Sequence, residues 1–158
     1  MRRKGFTLIE ILVVIGMIGI LATTALVAIN PLHQFAQARN AQRVSNVNAL
    51  LNAIGNRIAD HAGRFTDDTD CTTGVPPTAT VMGNGSSEYN VRPCLVPIYI
   101  SELPVDPTVG MNSCTDDGCS GGSYDTGYTI SLRSAGRITV CAPHMVDDGK
   151  NVAYCLTR

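Results

Sequence analysis

Glu10 is the only charged side chain between Lys4 and Arg39, and it stands four residues inside an apolar run, Phe6–Ile29, in which 18 of 24 residues are hydrophobic. A carboxylate near the middle of a membrane helix costs about 2.5–3.5 kcal/mol on insertion scales, so it needs either a partner or a route to the headgroups. Its place near the start of the run leaves both open. Six cysteines, Cys71, Cys94, Cys114, Cys119, Cys141 and Cys155, lie in a stretch rich in Gly, Ser, Thr, Asp and Pro and contain no C-x-x-C pair. That spacing argues against zinc and thiol redox chemistry and for disulfides, which persist outside the cytoplasm. Asp116, Asp117 and Asp125 offer hard oxygens, and so do Asp67, Asp68 and Asp70. Neither set has the full D-x-D-x-D-G spacing, and Asp beside Gly is more simply turn chemistry, so no cofactor is expected, with calcium the one candidate. Gly118-Cys119-Ser120-Gly121-Gly122 fits G-x-S-x-G in form. A nucleophile elbow needs a strand before the serine and a helix after it, whereas this segment sits among turn formers, and nothing in the sequence makes His144 its base. The chain is expected not to be an enzyme. Asn84-Gly85-Ser86 matches a glycosylation triplet and is given no role; His33 and His61 read as solvated helix residues.

These groups need a scaffold, and 158 residues without a visible repeat suffice for one ordinary domain. Lys and Arg number 12 against 13 Asp and Glu, and Arg2, Arg3 and Lys4 hold a quarter of the positive charge. The remaining body is mildly acidic and lacks the basic face that phosphate binding requires, so nucleic acid is not indicated. At about 1.5 Å per residue the apolar run spans roughly 36 Å as a helix, enough to cross a hydrocarbon core of about 30 Å, whereas a secretory h-region has about 7–15 residues. A cleaved secretory signal ending near Ala22-Thr23-Thr24-Ala25 is the competing reading. Beyond Asn30-Pro31, Val44, Val47, Leu51, Ile54 and Ile58 step by three and four, with Phe35 and Leu50 extending the stripe, which predicts an amphipathic helix. A single rod from about Phe6 to Ala62 is expected, weakened near Pro31 and closed by Gly63; Asn30 and Pro31 alternatively cap and open a second helix.

From Arg64 onward the chain reads as a loop-rich α+β head folded onto that stripe. Tyr128, Ile130 and Leu132 alternate with polar residues, Ser134-Ala135-Gly136 is a turn, and Ile138 and Val140 resume the alternation, which predicts a hairpin. A third strand is expected from Asn151 to Leu156, with Val152, Tyr154 and Leu156 on one face. If Val140 opposes Leu156 across an Asp147-Asp148-Gly149-Lys150 turn, Cys141 opposes Cys155 within reach of a disulfide. Cys71 with Cys94 would close the connection between rod and sheet and Cys114 with Cys119 a small loop, among the fifteen connectivities that six cysteines permit.

The segment Lys4-Gly5-Phe6-Thr7-Leu8-Ile9-Glu10 resembles the class III leader of type IV pilins and the related type II secretion pseudopilins. The resemblance covers the basic leader, Gly5 before the cut, Phe6 as the first mature residue, Glu10 as the fifth, and the helix to about Gly63. It implies an α+β fold in which a long N-terminal helix packs on a small antiparallel sheet. The expected divisions are a leader over 1–5, a transmembrane and polymerisation helix over 6–29, its amphipathic continuation over 30–63 and a disulfide-containing head over 64–158. It also implies a structural subunit, a prepilin cut after Gly5 and methylated on the Phe6 nitrogen by a prepilin peptidase, then polymerised into a type IV pilus filament. Cutting there leaves 153 of the 158 residues, removes the three leading cations and creates an ammonium on Phe6. Opposite charges that are costly to desolvate singly favour a pair, so Glu10 of one subunit would meet the Phe6 amine of its neighbour. Gly16 and Gly19 would allow close helix approach. The implied partners are copies of itself, the peptidase, an assembly ATPase, a platform protein and, before assembly, the cytoplasmic membrane; the assembled filament would lie at the cell surface or outside it.

Two local features bear on the resemblance. The commonest pilin pattern carries a proline where this chain has Val27, and Pro31 comes one turn later. Ser101-Glu102-Leu103-Pro104-Val105-Asp106-Pro107 looks like the Leu-Pro-x-Asp-Pro turn of many pilins and major pseudopilins, after which some pseudopilins bind calcium, so the resemblance makes Asp116, Asp117 and Asp125 the candidate calcium ligands. The competing functions are a pseudopilin of a type II secretion pseudopilus and, from another class, a binding or enzymatic domain tethered to the membrane by its first helix.

Overall fold

The computed structural model describes residues 5–29, 31–67, 69–147 and 149–158. Arg2, Arg3, Lys4, Asn30, Asp68 and Asp148, on which parts of the reading above rest, lie outside the described residues. The chain forms two compact units, one up to Gln37 and one from Ala38 to Arg158.

In the first unit, helix α1 spans Leu8–Ile29 and α2 begins at Pro31. Pro is well placed at a first helical position, because its missing N–H would have no intrahelical acceptor there. The expected single rod rests on Asn30, which lies outside the described residues. Thr23 and Thr24 return their hydroxyls to the carbonyls of Gly19 and Leu21 at 2.9 Å each, so neither polar side chain breaks the apolar surface with an unused donor. Leu8–Ala25 is long and apolar enough to cross a membrane, and none of it is buried within the chain.

The second unit starts inside α2, which continues to Asp60. Its elements are then β1 (Thr80–Gly83), the short α3 (Arg92–Leu95), β2 (Met111–Asn112), β3 (Tyr124–Leu132), β4 (Ile138–Ala142), β5 (Val146–Asp147), β6 (Lys150–Asn151) and β7 (Tyr154–Thr157). β1, β3, β4 and β7 neighbour one another in that order, β2 adds to β3, and each of these pairings is antiparallel. Val47, Leu50, Leu51 and Ile54 of α2 share one core with Met82, Leu95, Tyr128, Ile130 and Val140. Apolar periods of 3.6 on the helix and 2 on the strands thus meet on facing surfaces, the arrangement of an α+β pilin-like head.

Four expectations are corrected. Phe35 is 62 % exposed, because the buried face of α2 begins only at Arg43, inside the second unit. The helix ends at Asp60 rather than Ala62. There Ala62 takes the left-handed conformation at φ 55°, Gly63 follows at φ 86°, and the Gly63 N–H reaches the Ile58 carbonyl at 2.8 Å, a Schellman-type closure. The third strand is shorter than expected: β7 starts at Tyr154, because Lys150 and Asn151 pair back on Val146 and Asp147 in a separate ribbon. Val152 is half exposed, and its N–H bonds the Met145 carbonyl. The register nevertheless sets Val140 opposite Leu156 and Cys141 opposite Cys155. Lastly, His61 is not a solvated helix residue. It lies just past α2 with Nε2 3.3 Å from the Tyr99 hydroxyl and 3.8 Å from Asp67; His33 is exposed on α2.

Candidate functional site

Gly5 and Phe6 precede α1 as non-helical, exposed residues, with Phe6 79 % accessible. Thr7 is the helix cap: its carbonyl accepts the Glu10 N–H at 3.2 Å, and its hydroxyl accepts the same N–H at 3.3 Å. Thr7-Leu8-Ile9-Glu10 therefore has the Ser/Thr-x-x-Glu spacing of a capping box, a signal legible in the sequence and missed there. The cap starts the helix at Leu8 and puts Glu10 in its first turn, where the unpaired N–H groups carry partial positive charge and a carboxylate is stabilised. Every described side chain of α1 is exposed, and a Cβ built on Gly16 or Gly19 would meet nothing within 4 Å. The end of the chain therefore presents a peptide bond outside a helix, a lone carboxylate one turn away, and an uncovered apolar surface.

In the second unit three arginines are buried that the sequence reading did not single out: Arg43, Arg57 and Arg92 are each 1–2 % exposed. The signal was there in α2, since Arg43, Val47, Leu50, Ile54 and Arg57 continue the same steps of three and four as the apolar stripe. Each arginine meets an acid. Arg43 forks onto Asp106, Nε to Oδ2 at 2.6 Å and Nη2 to Oδ1 at 3.0 Å, and Nη2 also reaches the Thr108 hydroxyl at 2.7 Å. Burial pushes the Asp106 carboxyl up, but the Arg43 guanidinium and the donors of Thr108 hold it well below the usual carboxylate range. Arg57 donates to the carbonyls of Phe65 and Cys94 at 2.7 and 2.8 Å, pairs with Asp67, and lies over the rings of Phe65 and Tyr99. Asp67 is held low first by the Cys71 N–H, with Thr69 and Arg57 assisting. Arg92 pairs with Glu102 and donates to the carbonyls of Asp117 and Asp116 at 2.8 and 3.1 Å. The two acids of the Glu102-Leu-Pro-Val-Asp106 segment thus anchor two separate arginines.

Disulfides join Cys71 to Cys94, Cys114 to Cys119 and Cys141 to Cys155. Three of the candidate calcium ligands, Asp116, Asp125 and Asp67, are engaged in loop building. Asp116 accepts the Ser120 N–H at 3.0 Å and Asp125 the Gly127 N–H at 2.7 Å, while Asp67 Oδ1 accepts three N–H groups of Thr69, Asp70 and Cys71. Among the described residues no three His, Cys, Asp or Glu side chains gather into a group that could hold a metal. Gly118-Cys119-Ser120-Gly121-Gly122 lies in the loop between β2 and β3 with its cysteine in a disulfide, without the strand and helix that a nucleophile elbow requires. The Asn84 amide is occupied too, donating to the Gly122 carbonyl at 3.1 Å and accepting from the Tyr124 N–H at 2.9 Å.

Comparison with curated proteins and with solved structures gave no match. The family model of the prokaryotic N-terminal methylation motif matches residues 1–26. The capped helix, the lone acid and this match converge on the same segment, and the chain carries the class III leader of type IV pilins and pseudopilins ahead of an α+β pilin-like fold.

Proposed function

We propose that this chain is a prepilin, stored in the membrane through α1, cut between Gly5 and Phe6, methylated on the new amine and polymerised into a type IV pilus filament. The observation that carries the reading is the methylation motif at residues 1–26, which falls on a helix that holds one carboxylate and has none of Leu8–Ala25 buried. Such a surface needs lipid before assembly and other helices afterwards, and a lone Glu10 in that environment needs a cation. The Phe6 ammonium of an adjacent copy supplies it, while the cut discards the three leading charges. The motif implies a prepilin peptidase and assembly machinery, and an assembly ATPase and a platform protein complete the proposed set. Mass spectrometry of the mature protein tests this: the expected product begins at N-methylated Phe6. An intact Met1, or a start near Thr23, would replace the filament reading with a tether or a secreted protein. Long surface fibres built mainly of this chain are the expected assembly; short periplasmic fibres with a secretion defect would assign it to a pseudopilus.

A further inference from the structure

Arg133 and Arg137 flank the turn between β3 and β4, both with extended backbone, at φ −93° and −79°. The Arg133 N–H donates to the Arg137 carbonyl at 2.7 Å, so the two residues add one more facing pair beyond Leu132 and Ile138. Both side chains are exposed. Facing residues on antiparallel neighbours have Cβ atoms about 4.5–5.5 Å apart, where two like charges destabilise the sheet. The ion pairs among the described residues are those of Arg43, Arg57, His61 and Arg92, so none of them offsets this pair of cations. Arg158, which faces Ile138 from the end of β7, sends its guanidinium to the other side of the sheet, onto Asn52 of α2.

The strand period of two puts Ser131, Thr139 and Thr157 in the next row on the same face as the two arginines, each opposite the next across β3, β4 and β7. Ser131 is only 5 % exposed and its hydroxyl has no hydrogen-bond partner among the described residues, yet no such oxygen there is wholly shut off from solvent. It therefore opens onto the surface with its donor unused. Thr139 and Thr157 bond each other through their hydroxyls at 2.8 Å, which uses one of their two hydrogens and leaves the other free to donate. The row beyond holds Thr129 and the Cys141–Cys155 bond, so no carboxylate stands in any of the three rows.

We propose that this face of the sheet binds a phosphate monoester group. Two guanidiniums supply forked donors and two positive charges, and the row beneath them supplies two hydroxyl hydrogens; a phosphate monoester brings three acceptor oxygens and about −1.5 to −2 charge at neutral pH. A carboxylate, with one charge and two oxygens, would leave one cation opposed by the other. The bound group relieves the repulsion between Arg133 and Arg137, and Ser131 donates to it from below. The site belongs to the head and does not depend on the filament reading.

The test titrates the full chain, held in an uncharged detergent at low ionic strength, with inorganic phosphate, glucose 6-phosphate and glucose, followed by calorimetry and by the melting of the head. Glucose 6-phosphate should bind saturably and raise the melting temperature, and glucose should do neither. An affinity for glucose 6-phosphate above that for inorganic phosphate assigns the site to sugar phosphates, and one no higher assigns it to the free ion. Arg133→Gln and Arg137→Gln should each weaken binding by about tenfold or more, and Arg137→Lys, which keeps the charge and loses the fork, by less. Lys150→Gln, which removes the same charge elsewhere on the head, should change it by less than about twofold. In phosphate-free buffer the two Gln variants should melt no lower than the unaltered chain, since each removes the repulsion, so that a lost isotherm reports the site and not the fold. Absence of saturable binding by the unaltered chain with a normally melting head, full binding by the Gln variants, or an equal loss from Lys150→Gln overturns the site.

Discussion

Arg43 and Asp106 meet through two hydrogen bonds with side chains only 2 % and 0 % exposed, and Asn40 and Thr108 occupy further donors of the guanidinium. Such a pair contributes little beyond what a well-packed apolar pair would, but removing one partner strands a charge, at a cost of about 3–5 kcal/mol. Asp106→Ala should therefore lower the unfolding free energy of the head by that order, and Arg43→Lys, which loses the fork, by less; equal denaturation midpoints for Asp106→Ala and the unaltered chain would refute the assignment. The same carboxylate sets acid sensitivity. Asp106 and Asp67 have folded pKa values below the ordinary carboxylate value of about 3.9, so the unfolded chain binds the extra protons as pH falls through that value. Their stabilisation is fully present above about pH 5 and is lost progressively below about pH 4. Melting temperatures between pH 7 and pH 2 should fall at the acid end, with a shallower fall for Asp106→Asn. In the proposed assembly Glu10 acts at the other end of the chain: Glu10→Ala should leave insertion and cleavage largely intact, measured by the mass of the membrane-bound product, yet reduce filament yield. Normal filaments would remove the charge pairing from the mechanism.

At the scale of elements, β3 and β4 were legible because strict alternation from Tyr128 to Leu132 and from Ile138 to Val140 surrounds a turn whose Ala135 and Gly136 both take positive φ. The same period fixed which face Cys141 and Cys155 share, so a shortened β7 did not change their register. What stayed hidden were β1 and β2, too short to show a period, and the ribbon β5–β6, because the alternation from Asn151 to Leu156 reads as one strand and Lys150 and Asn151 instead pair back on Val146 and Asp147. Buried arginines were hidden for a different reason: a charged letter reads as a solvated face until a partner 63 residues away in sequence, as for Arg43 and Asp106, comes beside it. β7 also carries an expectation. It is the last strand of its sheet, held by β4, by the Cys141–Cys155 bond and by Arg158 pairing with Ile138 through both backbone groups. Closing a loop of 14 residues constrains the unfolded chain by about 3 kcal/mol in the entropic account. Cys141→Ser with Cys155→Ser should lower the urea midpoint accordingly and speed amide exchange at Tyr154–Thr157 more than in β3. Uniform acceleration across the sheet would mean that the bridge supports the whole head rather than its edge.

The molecule as a whole separates two kinds of stability. From Ala38 to Arg158 the chain has its own core, three disulfides and three buried arginines with acid partners, whereas Leu8–Ala25 contributes no buried residue at all. An uncovered apolar helix surface of that length is incompatible with a dispersed monomer in water, so lipid, detergent or other copies must cover it. The head depends on none of these. A fragment of residues 38–158, expressed in an oxidising compartment, should be a soluble monomer with a single cooperative melt, because the buried face of α2 begins only at Arg43 and the fragment retains all of it. The full chain should need detergent and, diluted out of it, associate through α1 while its head melts at the same temperature as the fragment. A fragment that binds hydrophobic dye and melts without cooperativity would show that residues before Ala38 are needed to fold the head, and would undo the proposed division of labour in which α1 assembles and the rest of the chain folds by itself.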